Sequence, residues 1–236
     1  MIDLSSRRRE AEWMDAPDAD PELLRKSLAY IRWVNRLFGY TRAMLSHLQR
    51  FSRRWKPGEP IRILDVATGS ADIPRAILKW ADRRHFNVRV VGVDLQATVA
   101  AEAATSNPDS RIRIVRANAL DLPFADASFD YAITSMFMHH LDEEAVVKVL
   151  GEMARVAQRG ILAADISRNR RAYMWISLFT LLANPMVRHD ARVSVAQAFN
   201  REEVLSLRDR AGVEFASYHR HFGHRFILGG ERSAHR

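Results

Sequence analysis

The chain contains no cysteine. Disulfides, thiolate metal ligands and a cysteine nucleophile are excluded, and a cytoplasmic location is the expected one. Lysine is nearly as scarce. Of 36 basic residues only Lys26, Lys56, Lys79 and Lys148 are lysines. No apolar run reaches the ~20 residues that a membrane-spanning helix needs. The most apolar stretch, 172–187, is shorter and is broken by Asn184-Pro185. The charged N-terminus, Met-Ile-Asp-Leu-Ser-Ser-Arg-Arg-Arg-Glu, has no apolar segment behind it, so a secretory signal is not expected. There is no repeat, no low-complexity tract and no G-x-G-x-x-G fingerprint.

What is present is an ordinary globular composition, 47% hydrophobic over 236 residues, enough for one domain with a sizeable core. The net charge of +8 and pI near 10.4 invite a nucleic-acid reading. The arginines are dispersed, however, and no aromatic platform is interleaved with them, so no nucleic-acid partner is expected.

Residues 61–73, Ile-Arg-Ile-Leu-Asp-Val-Ala-Thr-Gly-Ser-Ala-Asp-Ile, are the most informative stretch. An apolar strand ends at the acid Asp65, a turn of small residues follows, and a helix begins. Helix N-termini present free backbone N–H groups to ligands. The next strand, Val88–Val93, ends in a second acid, Asp94, placed to grip a ribose diol. A dinucleotide would want glycines where Ala67 and Ala71 stand, and Asp65 would repel its phosphates. A ligand with an ammonium group and no phosphate fits better. S-adenosylmethionine is such a ligand.

Further motifs follow in order: Ala117-Asn118-Ala119-Leu120-Asp121-Leu122-Pro123-Phe124, then Ser128-Phe129-Asp130-Tyr131-Ala132-Ile133, then Met138-His139-His140-Leu141. Together these resemble the class I S-adenosylmethionine-dependent methyltransferases, in particular the group of ubiquinone/menaquinone and related small-molecule enzymes. The resemblance covers roughly residues 60–168 and implies S-adenosyl-L-methionine as cofactor. It places the methionyl part at Asp65, Ala67, Thr68, Gly69, Ser70 and Asp72. The ribose goes to Asp94, with Leu95 beside the adenine, whose edge meets Asn118 and Ala119. Ser135 is a methionine-side contact. Ala71 replaces a frequent glycine. Asn118 replaces the usual aspartate, and its amide oxygen can also accept a hydrogen bond.

Methyl transfer from a sulfonium is an in-line displacement that often removes one proton from the acceptor. Candidates for that step lie at the carboxyl ends of strands: His139 and His140 after the fourth, Asp165 at the end of the fifth. A His–Asp couple across that edge could deprotonate a phenol. His189-Asp190 reads as a solvated loop. His219, His221 and His224 alternate without a carboxylate at ligand spacing, and no metal is expected.

Residues 1–16 are polar and read as loosely held, and 1–56 as a helical N-terminal extension or cap. Asp20-Pro21-Glu22 is a helix start. Apolar positions Leu24, Leu28, Ile31, Val34, Leu37 and Phe38 keep helical spacing, and Gly39 is a candidate break. Lys56-Pro57-Gly58-Glu59-Pro60 is a linker into residues 57–236. There strands and helices alternate: Ile61–Val66, Ile73–Asp82, Val88–Asp94, Thr98–Ala104, Ile112–Ala117, Tyr131–Met136, Glu143–Val156 and Ile161–Ile166. A helix over 200–211 and two strands, Val213–His219 and His224–Gly229, complete the chain. The predicted fold is α/β: a Rossmann-like, doubly wound, seven-stranded sheet, mostly parallel with an antiparallel C-terminal strand. The apolar run within an insertion at about 169–199 is either a buried helix or a lid that lines a lipophilic acceptor pocket or touches a membrane surface. Trp175, Leu178, Phe179 and Leu182 lie on one side of it. The expected activity is methylation, on oxygen or carbon, of a small lipophilic hydroxylated aromatic or quinol-like acceptor. The alternatives are an RNA methyltransferase and a non-catalytic S-adenosylmethionine-binding regulator.

Overall fold

The run ahead of Asp65 forms the first strand, β1 (Pro60–Val66). It is followed by β2 (Asn87–Asp94), β3 (Ile112–Arg116), β4 (Phe129–Ser135) and β5 (Ala157–Ile166). These five strands pair in parallel. The chain ends in β6 (Ser217–His221) and β7 (Arg225–Glu231), with β7 antiparallel to both β5 and β6. The sheet order is β3-β2-β1-β4-β5-β7-β6. The computed structural model describes residues 3–16, 20, 22–23, 25–27, 30 and 40–233.

Strands covered on both faces read as near-continuous apolar runs, and β4 is buried along all but its last residue. One face carries Leu64, Val66, Ala132 and Phe129 against helices α4 (Glu143–Val156) and α7 (Arg201–Arg210). The other carries Ile61, Ile63, Tyr131 and Ile133 against α1 (Tyr40–Phe51) and α2 (Asp72–Asp82). In α1, Met44, Leu48 and Phe51 recur at helical spacing and supply its buried side. Helix α3 (Ala97–Ser106) follows β2. Strand order reverses between β1 and β4, and open α/β sheets bind ligands in the crevice outside the carboxyl ends at such a point.

The apolar run 172–187 is two elements rather than one. Helix α5 (Arg170–Phe179) ends in a turn, and α6 (Pro185–Gln197) starts afresh. The Asn184 side chain accepts from the Val187 N–H, and Pro185 occupies the first turn. The pair that interrupts the run is thus a helix cap. His189 and Asp190 consequently lie on α6 rather than in a solvated loop, and Asp190 is buried.

Residues 3–16 are not loosely held. They form a strap against α6 and the segment after it. The Arg7 guanidinium donates to the carbonyls of Gln197, His139 and Leu141 and lies 3.5 Å over the Phe199 ring. Buried Arg168 donates to the carbonyls of Leu4 and Ser5 from the other side. Asp190 accepts the backbone N–H groups of Trp13 and Met14, and the Trp13 ring stacks on His189 at 4.1 Å. Beyond the strap, the Asp20 carboxylate accepts from the Leu23 N–H, as a helix cap does. The helical positions Leu24, Leu28, Ile31, Val34, Leu37 and Phe38, and the break at Gly39, lie outside the described residues.

Candidate cofactor and acceptor site

The turn after β1 has Ala67, Gly69 and Ala71 in the left-handed region, at φ 56°, 53° and 56°. That conformation costs an alanine about 1 kcal/mol or more. The alanines therefore do not change the course of the turn. They hold, under strain, a path that glycine would take freely. The turn is laced to β2: the Thr68 N–H donates to the Val93 carbonyl at 2.9 Å, and the Gly69 N–H donates to Asp94 Oδ2 at 3.1 Å. Gly92 makes this approach possible, because a Cβ there would stand 2.8 Å from Thr68 Oγ1. Sequence reasoning passed over Gly92, although a glycine inside an apolar strand signals a close backbone approach.

Asp65 is 2% exposed. The Thr68 hydroxyl donates to its Oδ2 at 2.7 Å, and no cation pairs with it among the described residues. Burial pushes its carboxyl up to about 7; the Thr68 hydrogen bond opposes this, while the charges of Asp72 and Asp94 add to it. The crevice is therefore a desolvated, electronegative site with an unfilled demand for a cation. A pyrophosphate is repelled there, and an ammonium or sulfonium is attracted.

Asp94 closes the tip of β2 and accepts from the backbone of Gly69 and Gln96. Leu95 beside it is exposed. The Ala117 N–H donates to the Asp94 carbonyl, which brings the loop after β3 alongside. There Asn118 Oδ1 accepts from the Leu120 N–H at 3.0 Å, and Ala119 is buried. Ser70 Oγ donates to Asp72 Oδ1, and Ser135 ends β4. The structure thus gathers Asp65, Ala67, Thr68, Gly69, Ser70, Asp72, Asp94, Leu95, Asn118, Ala119 and Ser135 along the carboxyl ends of β1, β2, β3 and β4.

On the β4–β5 side, a short 3-10 turn, Met138–His140, presents both histidines. His139 is buried. Its ring Nδ1 is 2.7 Å from Asp165 Oδ1, and its backbone N–H donates to Asp165 Oδ2 at 2.9 Å. Asp165 also accepts the Ile166 N–H, so it is held as an acceptor and fixes the ring with the proton on Nδ1. His140 is exposed, and the two rings lie 4.2 Å apart. Glu12 of the strap also reaches this point, with Oε1 3.9 Å from His139 Nε2. His219 and His221 stand elsewhere, on edge strand β6 beside buried His47, whose Nε2 is 3.1 Å from that of His221.

The expected lid helix α5 exposes Met174, Trp175 and Leu178, and Leu181 and Leu182 just beyond it are exposed as well. It is therefore not a core helix, although its Ala172 is buried. Among the described residues no helix is long and apolar enough to cross a membrane.

A strand-order reversal with acids near the carboxyl ends of β1, β2 and β5, a turn held against β2, and a His–Asp couple at the same edge make up this fold and site. Residues 63–160 match the family described as "Methyltransferase domain". The demethylmenaquinone methyltransferase of Porphyromonas gingivalis is 33% identical over 129 residues, covering 51% of this chain and 49% of that protein. The ubiquinone/menaquinone biosynthesis C-methyltransferase UbiE of Rickettsia prowazekii is 32% identical over 115 residues, covering 44% and 46%. The chain spans about half the length of these relatives. Among solved structures, an S-adenosylmethionine-dependent methyltransferase from Aquifex aeolicus matches with a TM-score of 0.56 and 16% identity, over 78% of this chain and 88% of that one. The plantazolicin methyltransferase BamL, in complex with a triazolic desmethylPZN analog and SAH, matches with a TM-score of 0.66 and 13% identity, over 88% and 73%. Residues 63–160 thus match a methyltransferase domain, about half of the chain is similar in sequence to enzymes of the ubiquinone/menaquinone group, and its fold is that of S-adenosylmethionine-dependent methyltransferases.

Proposed function

We propose that this protein methylates a small lipophilic, hydroxylated aromatic or quinol-like acceptor in the cytoplasm, on oxygen or on a ring carbon. One observation carries the reading. The cation-seeking crevice at Asp65 and the His139–Asp165 couple open on the same carboxyl edge, on either side of the strand-order reversal. Bound S-adenosylmethionine would supply a methyl group on a positively charged sulfur. Asp65, and the turn from Ala67 to Ser70 with Asp72, hold the amino-acid end. Asp94 accepts from the ribose hydroxyls, and Asn118 and Ala119 meet the adenine edge. Ser135 stands between the two halves, at the end of β4.

His139 takes the acceptor's proton on Nε2, the ring nitrogen that Asp165 leaves free. Exposed His140 forms the solvent side of the couple. The apolar residues of α5, with exposed Arg170 and Arg171 at its start, suit peripheral contact with an anionic membrane surface that stores a lipophilic acceptor. The relatives' names, which refer to menaquinone and ubiquinone, support an acceptor of this kind.

The test is to incubate the protein with radiolabelled S-adenosylmethionine and either an organic-soluble extract or RNA. Label in the organic fraction, lost in Asp94→Ala, is the expected result. Label in RNA would replace this reading with that of an RNA methyltransferase. Cofactor binding without label in either fraction would leave a non-catalytic binding protein.

A further inference from the structure

We propose that Glu12, which the N-terminal strap brings to the free edge of the His139 ring, is a positioning residue of the proton-accepting site. The inference rests on the reading of His139 as the group that takes the acceptor's proton, and it concerns a residue outside the segment 63–160 that matches the family.

Glu12 is 6% exposed; no lysine or arginine pairs with it among the described residues, and the chargeable groups beside it are His139, at 3.9 Å, and His140, within 4.8 Å. A buried carboxylate without a cation is costly. Here it is deliberately held. Oε1 accepts from the Ser194 hydroxyl at 2.5 Å and from Gln197 Nε2 at 3.1 Å, both on α6. The strap is tied down on both sides of it, by Arg7 before and by the Trp13 and Met14 N–H groups after. These ties hold the carboxylate 3.9 Å from His139 Nε2. That is too long for a hydrogen bond to a neutral ring and short enough to attract a charged one.

The His139 ring is thus bracketed, with Asp165 on the Nδ1 edge and Glu12 on the Nε2 edge. As the acceptor forms its bond to the methyl group, the carbon–sulfur bond breaks and the sulfur keeps the electron pair. The acceptor's proton passes to Nε2. The ring then carries a positive charge between two carboxylates until it releases the proton to solvent past His140. The groups that face His139 are Asp165 from β5, Glu12 and the Arg7 guanidinium (on its carbonyl) from the strap, and His140 from its own turn. From α6 come only the neutral Ser194 and Gln197, through Glu12.

Ligand atoms of Glu12, His139 and His140 also lie within 4.8 Å of one another. A tetrahedral ion with bonds of about 2.1 Å needs ligand atoms about 3.4 Å apart. The wider spread, and the two donors already aimed at Oε1, favour a proton site over a metal site.

The experiment follows the histidine ring nitrogens by NMR through a pH titration of the whole chain, in wild type and in Glu12→Gln. The His139 signals should titrate about one pH unit lower in the variant, because a neighbouring negative charge is gone. Glu12→Asp should restore part of the difference. The affinity for S-adenosylhomocysteine should change less than twofold. Once an acceptor is in hand, the acidic limb of kcat/KM should move by the same amount. An unchanged His139 titration alongside a lowered Tm would overturn the proposal and make Glu12 purely structural. Stoichiometric Zn(II) binding that Glu12→Gln abolishes would also overturn it. If Glu12→Gln does not fold, Glu12→Asp, which draws the carboxylate back from the ring without changing its charge, should lower the His139 titration by a smaller amount, and no shift there refutes the idea. A shifted titration with no methyl transfer would sink the proposed function, and with it the positioning role, while leaving the Glu12–His139 coupling standing. Methyl transfer with an unshifted titration would do the reverse.

Discussion

Replacing Asp65 with asparagine should stabilise the ligand-free protein above neutral pH while abolishing cofactor binding. The folded carboxyl titrates near 7 rather than at the ordinary 3.8, because burial disfavours its charge. Below pH 3.8 both folded and unfolded chains hold the proton, and Asp65 makes no pH-dependent difference. Between 3.8 and 7 the unfolded chain ionises first, so stability is lost as pH rises. The accumulated loss is on the order of 4 kcal/mol at 1.36 kcal/mol per pH unit. Asparagine escapes this loss and gives up about 1 kcal/mol of hydrogen bonding to Thr68. The variant should therefore be less stable than wild type at pH 4 and more stable by roughly 2–3 kcal/mol at pH 8. Urea unfolding at the two pH values measures both differences. A stability difference that does not change between pH 4 and pH 8 would refute the argument. Calorimetry gives an independent check. At pH 6.5, S-adenosylhomocysteine should expel a proton from Asp65 as its ammonium arrives, seen as a binding heat that depends on the buffer's ionisation enthalpy.

Three further outcomes follow. Gly92→Ala should push Thr68 away from β2, weaken cofactor binding at least tenfold and cost about 1–3 kcal/mol of stability, read by calorimetry and urea unfolding; wild-type cofactor affinity would show that the close approach is not needed. His47, buried beside His219, His221 and Arg50, is pushed down to about 4 by burial and then by those charges. The unfolded chain takes up that proton first as pH falls from 6.5 to 4, so up to about 3 kcal/mol of stability should be lost in that window, and His47→Gln should flatten the curve. Trp175→Ala together with Leu178→Ala should leave Tm within about 2 °C, since both side chains are exposed, yet raise the acceptor's KM and reduce flotation with anionic vesicles; a large drop in Tm would return α5 to the core.

The parallel sheet was legible because its central strands β1, β4 and β5 are near-continuous apolar runs, and because β1, β2 and β5 carry acids near their carboxyl ends. Helix α4 was legible to the residue, since Asp142 caps it and Glu143 and Glu144 fill its first turn. The carboxyl-end rule of α/β sheets brought Asp65, Asp94, His139 and Asp165 to one edge before any coordinate was known. The split of residues 172–187 was hidden because apolar residues continue through the turn, and only Asn184-Pro185 betrays a new start. The alanines at 67 and 71 were informative only in part: sequence shows the missing glycine but not the left-handed backbone that the alanines keep. The strap left no local trace. Its bonds run from arginines to carbonyls and from backbone N–H groups to Asp190, partners with no periodicity in the chain. Glu12 was invisible for the same reason.

The strap also sets an order of events. Arg7 emerges from the ribosome well before its partner: the Gln197 carbonyl it binds lies 190 positions further on. Synthesis at about 5–20 residues per second leaves the two ends of that contact apart for roughly ten seconds or more. The parallel core from β1 to β5 can close in that interval; the Nε2 edge of His139 cannot be finished. The edge that carries Asp65 and Asp94 can thus form early, and the corner around His139 Nε2 only late. Any extension fused to the N-terminus would be tethered to the last-assembled part of the site.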